Sequence, residues 1–114
     1  MNALKNKVQL IGNLGNNPEI ISLDNGKKIA KFSIATNETY KNSDGDRVTD
    51  TQWHNIIAWN KTAEIIERYI TKGSEVMIEG KLTTRSYETQ QGEKKYITEV
   101  ICNELLMLGN REGN

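Results

Sequence analysis

The sequence is poor in the residues that most often do chemistry: it holds one cysteine, one histidine and one proline. A single Cys102, set in the apolar run Val100-Ile101-Cys102, can form neither an intrachain disulfide framework nor a multi-cysteine metal site. It reads as a buried structural thiol rather than a reactive one. His54 stands alone too, which removes His-His and His-Cys-Cys clusters and with them a zinc enzyme. No metal and no cofactor are expected. No apolar run approaches the roughly 20 residues that cross a bilayer, and Met1-Asn2-Ala3-Leu4-Lys5 lacks the apolar stretch of a signal peptide. A cytoplasmic protein is expected.

An excess of one charge is also missing, since 15 Lys and Arg balance 15 Asp and Glu. Binding to a polyanion requires clustered cations, so their distribution matters more than the sum. Lys5 and Lys7 are the only charges before Glu19, and the stretch from Lys81 to Lys95 sets Lys81, Arg85, Lys94 and Lys95 against Glu88 and Glu93. Acids gather at Asp44, Asp46 and Asp50, then at Glu99, Glu104 and Glu112. Two surfaces satisfy this pattern: one basic face with one acidic face, or an evenly mixed solvated surface.

Strand signals dominate what is present. Val8, Leu10 and Gly12 alternate with Gln9, Ile11 and Asn13 in a first strand, where Gly12 suits a sharp bend serving two sides of a small barrel. After the loop Asn16-Asn17-Pro18 comes a short extended piece, Glu19 to Leu23, and Asp24-Asn25-Gly26 signals a hairpin. The second strand, Lys28 to Thr36, turns Ala30, Phe32 and Ile34 to one side. Asn37 to Asp50 is polar around Asp44-Gly45-Asp46 and reads as a long exposed loop or a protruding hairpin. Thr51 to Trp59 is a third strand, with Trp53, Asn55, Ile57 and Trp59 on one face and His54, Ile56 and Ala58 on the other.

Asn60 is a good helix N-cap, and Ala63, Ile66, Tyr69 and Ile70 recur at helical spacing before Lys72-Gly73 ends the segment. A fourth strand then points Val76, Ile78, Gly80 and Leu82 inward and Met77, Glu79, Lys81 and Thr83 outward. It continues through Tyr87 to a turn at Gln90-Gln91-Gly92, and a fifth strand runs from Lys94 to about Leu108. One domain is expected over 1–109, with a frayed polar end over 110–114. The order, three strands, one helix and two strands, is that of an OB fold, a five-stranded Greek-key β-barrel with the helix between strands three and four.

The few aromatic residues keep company with cations. Tyr40 precedes Lys41, Trp59 lies two residues from Lys61, Tyr87 follows Arg85, and Lys95 precedes Tyr96. A ring beside a cation suits single-stranded nucleic acid, because the ring stacks on any base while the cation meets phosphate. Tyr40 and Tyr87, in polar surroundings, read as stackers, and Trp53 also does. Trp59 and Tyr69 either stack or fill core.

Longer words in the sequence point the same way. Asn6-Lys7-Val8, Gly12-Asn13-Leu14-Gly15, Asn17-Pro18-Glu19, Ala35-Thr36-Asn37-Glu38, Thr51-Gln52-Trp53-His54, Lys72-Gly73-Ser74 and Ile78-Glu79-Gly80-Lys81-Leu82 appear in an order that resembles the bacterial single-stranded-DNA-binding protein (SSB) family, from about Asn6 to Gly109. The resemblance implies an OB fold, usually a homotetramer, that coats single-stranded DNA in replication, recombination and repair without sequence preference. It implies stacking positions at Tyr40, Trp53, Trp59 and Tyr87, and a subunit interface at His54. Backbone contacts are expected from Lys5, Lys7, Lys61, Lys72, Lys81, Arg85 and Lys95, and an oligomer interface through strand one and the face of His54 and Met77. The family commonly continues into a flexible linker with an acidic tip that recruits partners. This sequence stops at Arg111-Glu112-Gly113-Asn114 without that tip, which puts tail-mediated partners in doubt.

No catalytic constellation accompanies these features. The spacing of Gly12 and Gly15 is not that of a nucleotide loop, and Asp44 with Asp46 reads as turn chemistry. No enzyme is expected. The other reading is an OB-fold accessory module, such as a primosome or RNA-binding component, that uses the same face for RNA or protein.

Overall fold

The computed structural model describes residues 3–109. A short 3-10 turn, Ala3–Lys5, leads into strands β1 (Val8–Leu14), β2 (Glu19–Ser22), β3 (Lys28–Lys41) and β4 (Arg47–Trp59), helix α1 (Asn60–Tyr69), and strands β5 (Glu75–Glu88) and β6 (Lys94–Gly109). The sheet order is β1-β5-β6-β4-β3-β2, and a second pairing of β1 with β3 closes it into a five-stranded barrel, with β2 as a short flap on β3. This is the expected OB architecture.

Gly12 makes the closure possible. β1 pairs with β5 from Val8 to Asn13 and with β3 at Asn13 and Leu14, so the two ladders overlap where the strand turns from one neighbour to the other. A Cβ at Gly12 would collide with the Ala35 carbonyl oxygen, and that close backbone approach admits no side chain. At the opposite seam β4 and β6 run parallel through only Ile56↔Val100 and Ile57↔Ile101.

The core collects the inward residues of the five barrel strands: Leu14, Ala30, Phe32, Ile34, Ile56, Ala58, Val76, Ile78, Val100 and Cys102. α1 plugs one end with Ala63 and Ile66, followed by Ile70. Cys102 is buried, as its apolar setting implies.

Three local expectations are corrected. The helix N-cap is Trp59, and Asn60 has φ +54° with its Oδ1 turned to the backbone N–H of Lys28 at 3.5 Å instead of capping the first turn. Asparagine tolerates that left-handed geometry, so the residue that suggested a cap serves as the corner between β4 and α1. Tyr69, at core spacing, is exposed on the outer side of α1. Leu82 keeps its inward parity but is 48 % exposed, because β5 has by then run toward the barrel's end, where no opposing layer covers it. Of the two readings of 37–50, the protruding hairpin is the one found: β3 and β4 stay paired from Ile29↔Trp59 to Lys41↔Arg47, giving a ribbon. Asn42 closes its tip, its Oδ1 accepting from the N–H groups of Asp44 and Asp46 at 3.0 Å each. The frayed end expected over 110–114 lies outside the described residues. Among the described residues no helix is long and apolar enough to cross a membrane.

Candidate nucleic-acid interface

The alternation that buries Ala30, Phe32 and Ile34 turns Ile29, Lys31, Ser33 and Ala35 outward, and the register sets them opposite Trp59, Ile57, Asn55 and Trp53. Beyond the parallel seam the surface continues onto β6 and β5. There Lys81, Thr83, Arg85 and Tyr87 oppose Ile101, Glu99, Ile97 and Lys95. One continuous outer face therefore carries Trp53, Trp59 and Tyr87 together with Lys81, Arg85 and Lys95. Two adjoining hollows of about 290 and 320 Å³ indent it, and Lys31, Ile57, Arg85 and Glu99 line both.

The rings on this face are available. Trp53 is 61 % exposed, and Trp59 and Tyr87 are exposed at the other edges of the surface. Trp59 lines the second hollow with Ile29, Ile57 and Ile101, so its ring stands over the barrel and not inside it. Trp53 rests against Gly15, whose absent side chain makes room for the indole. Tyr87 pairs across the strands with Lys95 near the tip of the β5–β6 hairpin.

Tyr40 is placed differently. It is 54 % exposed near the tip of the β3–β4 ribbon, opposite Val48, with Lys41 and Arg47 forming the next rung. Its parity is that of Thr36 and His54, so it occupies the side of the ribbon away from Trp53. A strand touching both rings has to pass around the ribbon.

The remaining cations divide. Lys61 opens α1 directly after Trp59 and Asn60, and Lys72 sits in the α1–β5 turn, its N–H donating to Asn17 Oδ1 at 2.8 Å beside the loop that follows Gly15. Lys5 is exposed in the leading turn. Lys7 pairs with Glu79 at 3.0 Å, on the outer side of β1 and β5. Arg85 is bound through Nε and Nη2 to the two carboxylate oxygens of Glu99, at 3.0 and 3.2 Å.

Two features of the face escaped the sequence. Lys31 lines both hollows; the same alternation that placed Ala30 and Phe32 in the core gives its direction, but its aromatic neighbour in sequence, Phe32, faces the core and so drew no notice to it. Glu99, grouped by sequence with the terminal acids, is instead buried under the basic face as the partner of Arg85. That pairing spans two strands and needs the register to be seen.

Of the expected interface residues, Met77 flanks β1 directly and His54, on β4, approaches it through Thr36 of β3. Met77 is half-buried in a row across three strands, Ile11↔Met77↔Leu106, with Ile11 and Leu106 exposed. His54 Nε2 lies 3.0 Å from Thr36 Oγ1, and Thr36 borders the space beside Gly12.

Comparison with known proteins agrees with this geometry. The profile of the Single-strand binding protein family matches residues 5–108. The chain belongs to that family. It is 45 % identical over 108 residues to single-stranded DNA-binding protein 1 of Chlorobaculum tepidum, covering 94 % of this chain and 67 % of that one. It is 42 % identical over 109 residues to the single-stranded DNA-binding protein of Neisseria meningitidis serogroup A, covering 96 % and 63 %. The chain thus spans about two thirds of the length of these curated relatives. The solved structure of a Plasmodium falciparum SSB complex with ssDNA superposes with a TM-score of 0.84 at 35 % identity, over 91 % of this chain and 95 % of that one. Members of the single-strand binding family are DNA-binding proteins and not enzymes, and the same holds for this one.

Proposed function

We propose that this single-strand binding family member coats single-stranded DNA without sequence preference and protects it during replication, recombination and repair. The observation that carries the reading is the single outer face on which Trp53, Trp59 and Tyr87 stand exposed among Lys31, Lys81, Arg85 and Lys95. Rings stack on any base and cations follow the backbone, which gives affinity without base readout. Tyr40 on the ribbon's far side extends the path, and Lys5, Lys61 and Lys72 are further backbone contacts. Lys7, held by Glu79, is a weaker one.

The working form is a homotetramer in the nucleoid of the cytoplasm. The exposed row of Ile11, Met77 and Leu106, with the His54–Thr36 pair beside the same strand, offers an apolar surface of the kind that isologous interfaces bury. The test is a competition in which labelled oligo-dT bound to the protein is challenged with unlabelled oligo-dT, duplex DNA and folded RNA, with the mass of the free protein measured alongside. Displacement by the single strand alone, from a tetramer, is expected. Preferential displacement by folded RNA would favour an accessory RNA-binding module, and a strict monomer at micromolar concentration would refute the assembly.

A further inference from the structure

A buried carboxylate beneath a surface that receives phosphates works against binding unless it does something for that surface. Glu99 is such a group: its side chain is 5 % exposed, it lines both hollows of the basic face, and its two oxygens are engaged by Nε and Nη2 of Arg85, whose own side chain is 50 % exposed. A guanidinium is a planar fork, so two parallel hydrogen bonds to one carboxylate fix its plane as well as its position. The Nη1 group makes no hydrogen bond among the described residues and keeps its donors for a ligand.

From this geometry we infer that Glu99 is a positioning residue for nucleic-acid binding: it orients Arg85 on the ridge between the two hollows so that the guanidinium meets a backbone phosphate without first losing rotamer freedom. The inference rests on the proposed binding face. An unheld arginine gives up rotamer entropy when it is fixed, and Glu99 removes part of that cost before the ligand arrives. Two effects of opposite sign are therefore at stake. A neutral side chain at 99 relieves repulsion of the phosphates, whereas loss of the fork releases Arg85.

The experiment is a tryptophan-fluorescence titration with oligo-dT at several salt concentrations, on the parent, Glu99→Gln, Arg85→Ala and the double variant, with melting temperatures recorded. Glu99→Gln is expected to bind roughly threefold to tenfold more weakly, with a shallower salt dependence, although it removes a negative charge. The double variant should bind no more weakly than Arg85→Ala alone, since a released arginine and a missing one are the same loss. A folded Glu99→Gln protein that binds as tightly as the parent, or more tightly, overturns the inference. If Glu99→Gln fails to fold, Glu99→Asp, which keeps the charge and withdraws the carboxylate by one methylene, is judged by the same criterion. A parent protein that does not bind oligo-dT refutes the binding face itself, which is a separate result.

Discussion

The indole of Trp53 is seated on Gly15: a Cβ built at residue 15 would come within 2.5 Å of Trp53 Cζ3 and 2.7 Å of Cη2. Gly15 is held in turn by its N–H donating to the Ser33 carbonyl at 3.1 Å, so the seat belongs to the barrel wall. An exposed ring with a fixed seat meets a base at low entropic cost. Gly15→Ala should therefore push the indole aside and weaken oligo-dT binding by about 1 kcal/mol, a fraction of the value of one stacked base. The indole is exposed and can be displaced toward solvent without disturbing the core, so the melting temperature should move little. A variant that binds normally would show that Trp53 needs no seat.

Tyr40 and Tyr87 stand on two different hairpins with no core to fill. Replacing either by Ala should weaken oligo-dT binding by about 1 to 3 kcal/mol at fixed salt and scarcely change thermal stability. Trp59→Ala should behave in the same way, because its ring lines an open hollow and is exposed. Loss of stability with intact binding in this set would identify the rings as packing residues.

Removing Arg85 strands the buried Glu99 carboxylate. Arg85→Ala should therefore lower the melting temperature as well as the salt slope of binding. Thermal melts of the parent and the variant at neutral pH measure this, and an unchanged melting temperature would mean that solvent reaches Glu99 once Arg85 has gone.

Burial pushes the Cys102 thiol up to about 11. Its ordinary value is 9.0, so above that pH the unfolded chain gives up a proton that the fold retains. Stability is accordingly undiminished by this group below about pH 9 and falls as pH rises through the window toward 11. Native protein should also resist alkylation at pH 8 and react once denatured. Rapid native labelling would contradict the burial.

Much of this was legible in the sequence because small barrels repeat a period of two. Val76 and Ile78 against Met77 and Glu79, and Ile56 and Ala58 against Ile57 and Trp59, announce their strands without help. Gly12 announced the bend. Parity, however, does not say where a strand leaves the barrel, which is why Leu82 was expected inside. It also does not say which strands become neighbours, so the pairing of Arg85 with Glu99 and the position of Lys31 between the hollows waited for the register. Asn60 shows a different limit: the polar side chain that suits a cap also suits the left-handed corner it occupies.

The central claim, that one face joins stacking rings to phosphate-binding cations, is tested most directly by the quenching of Trp53 and Trp59 fluorescence during titration with oligo-dT over a range of salt. The account predicts strong quenching and an affinity that falls with salt by about 0.7 log units per log unit for each phosphate neutralised. Weak quenching, or an affinity indifferent to salt, would contradict it.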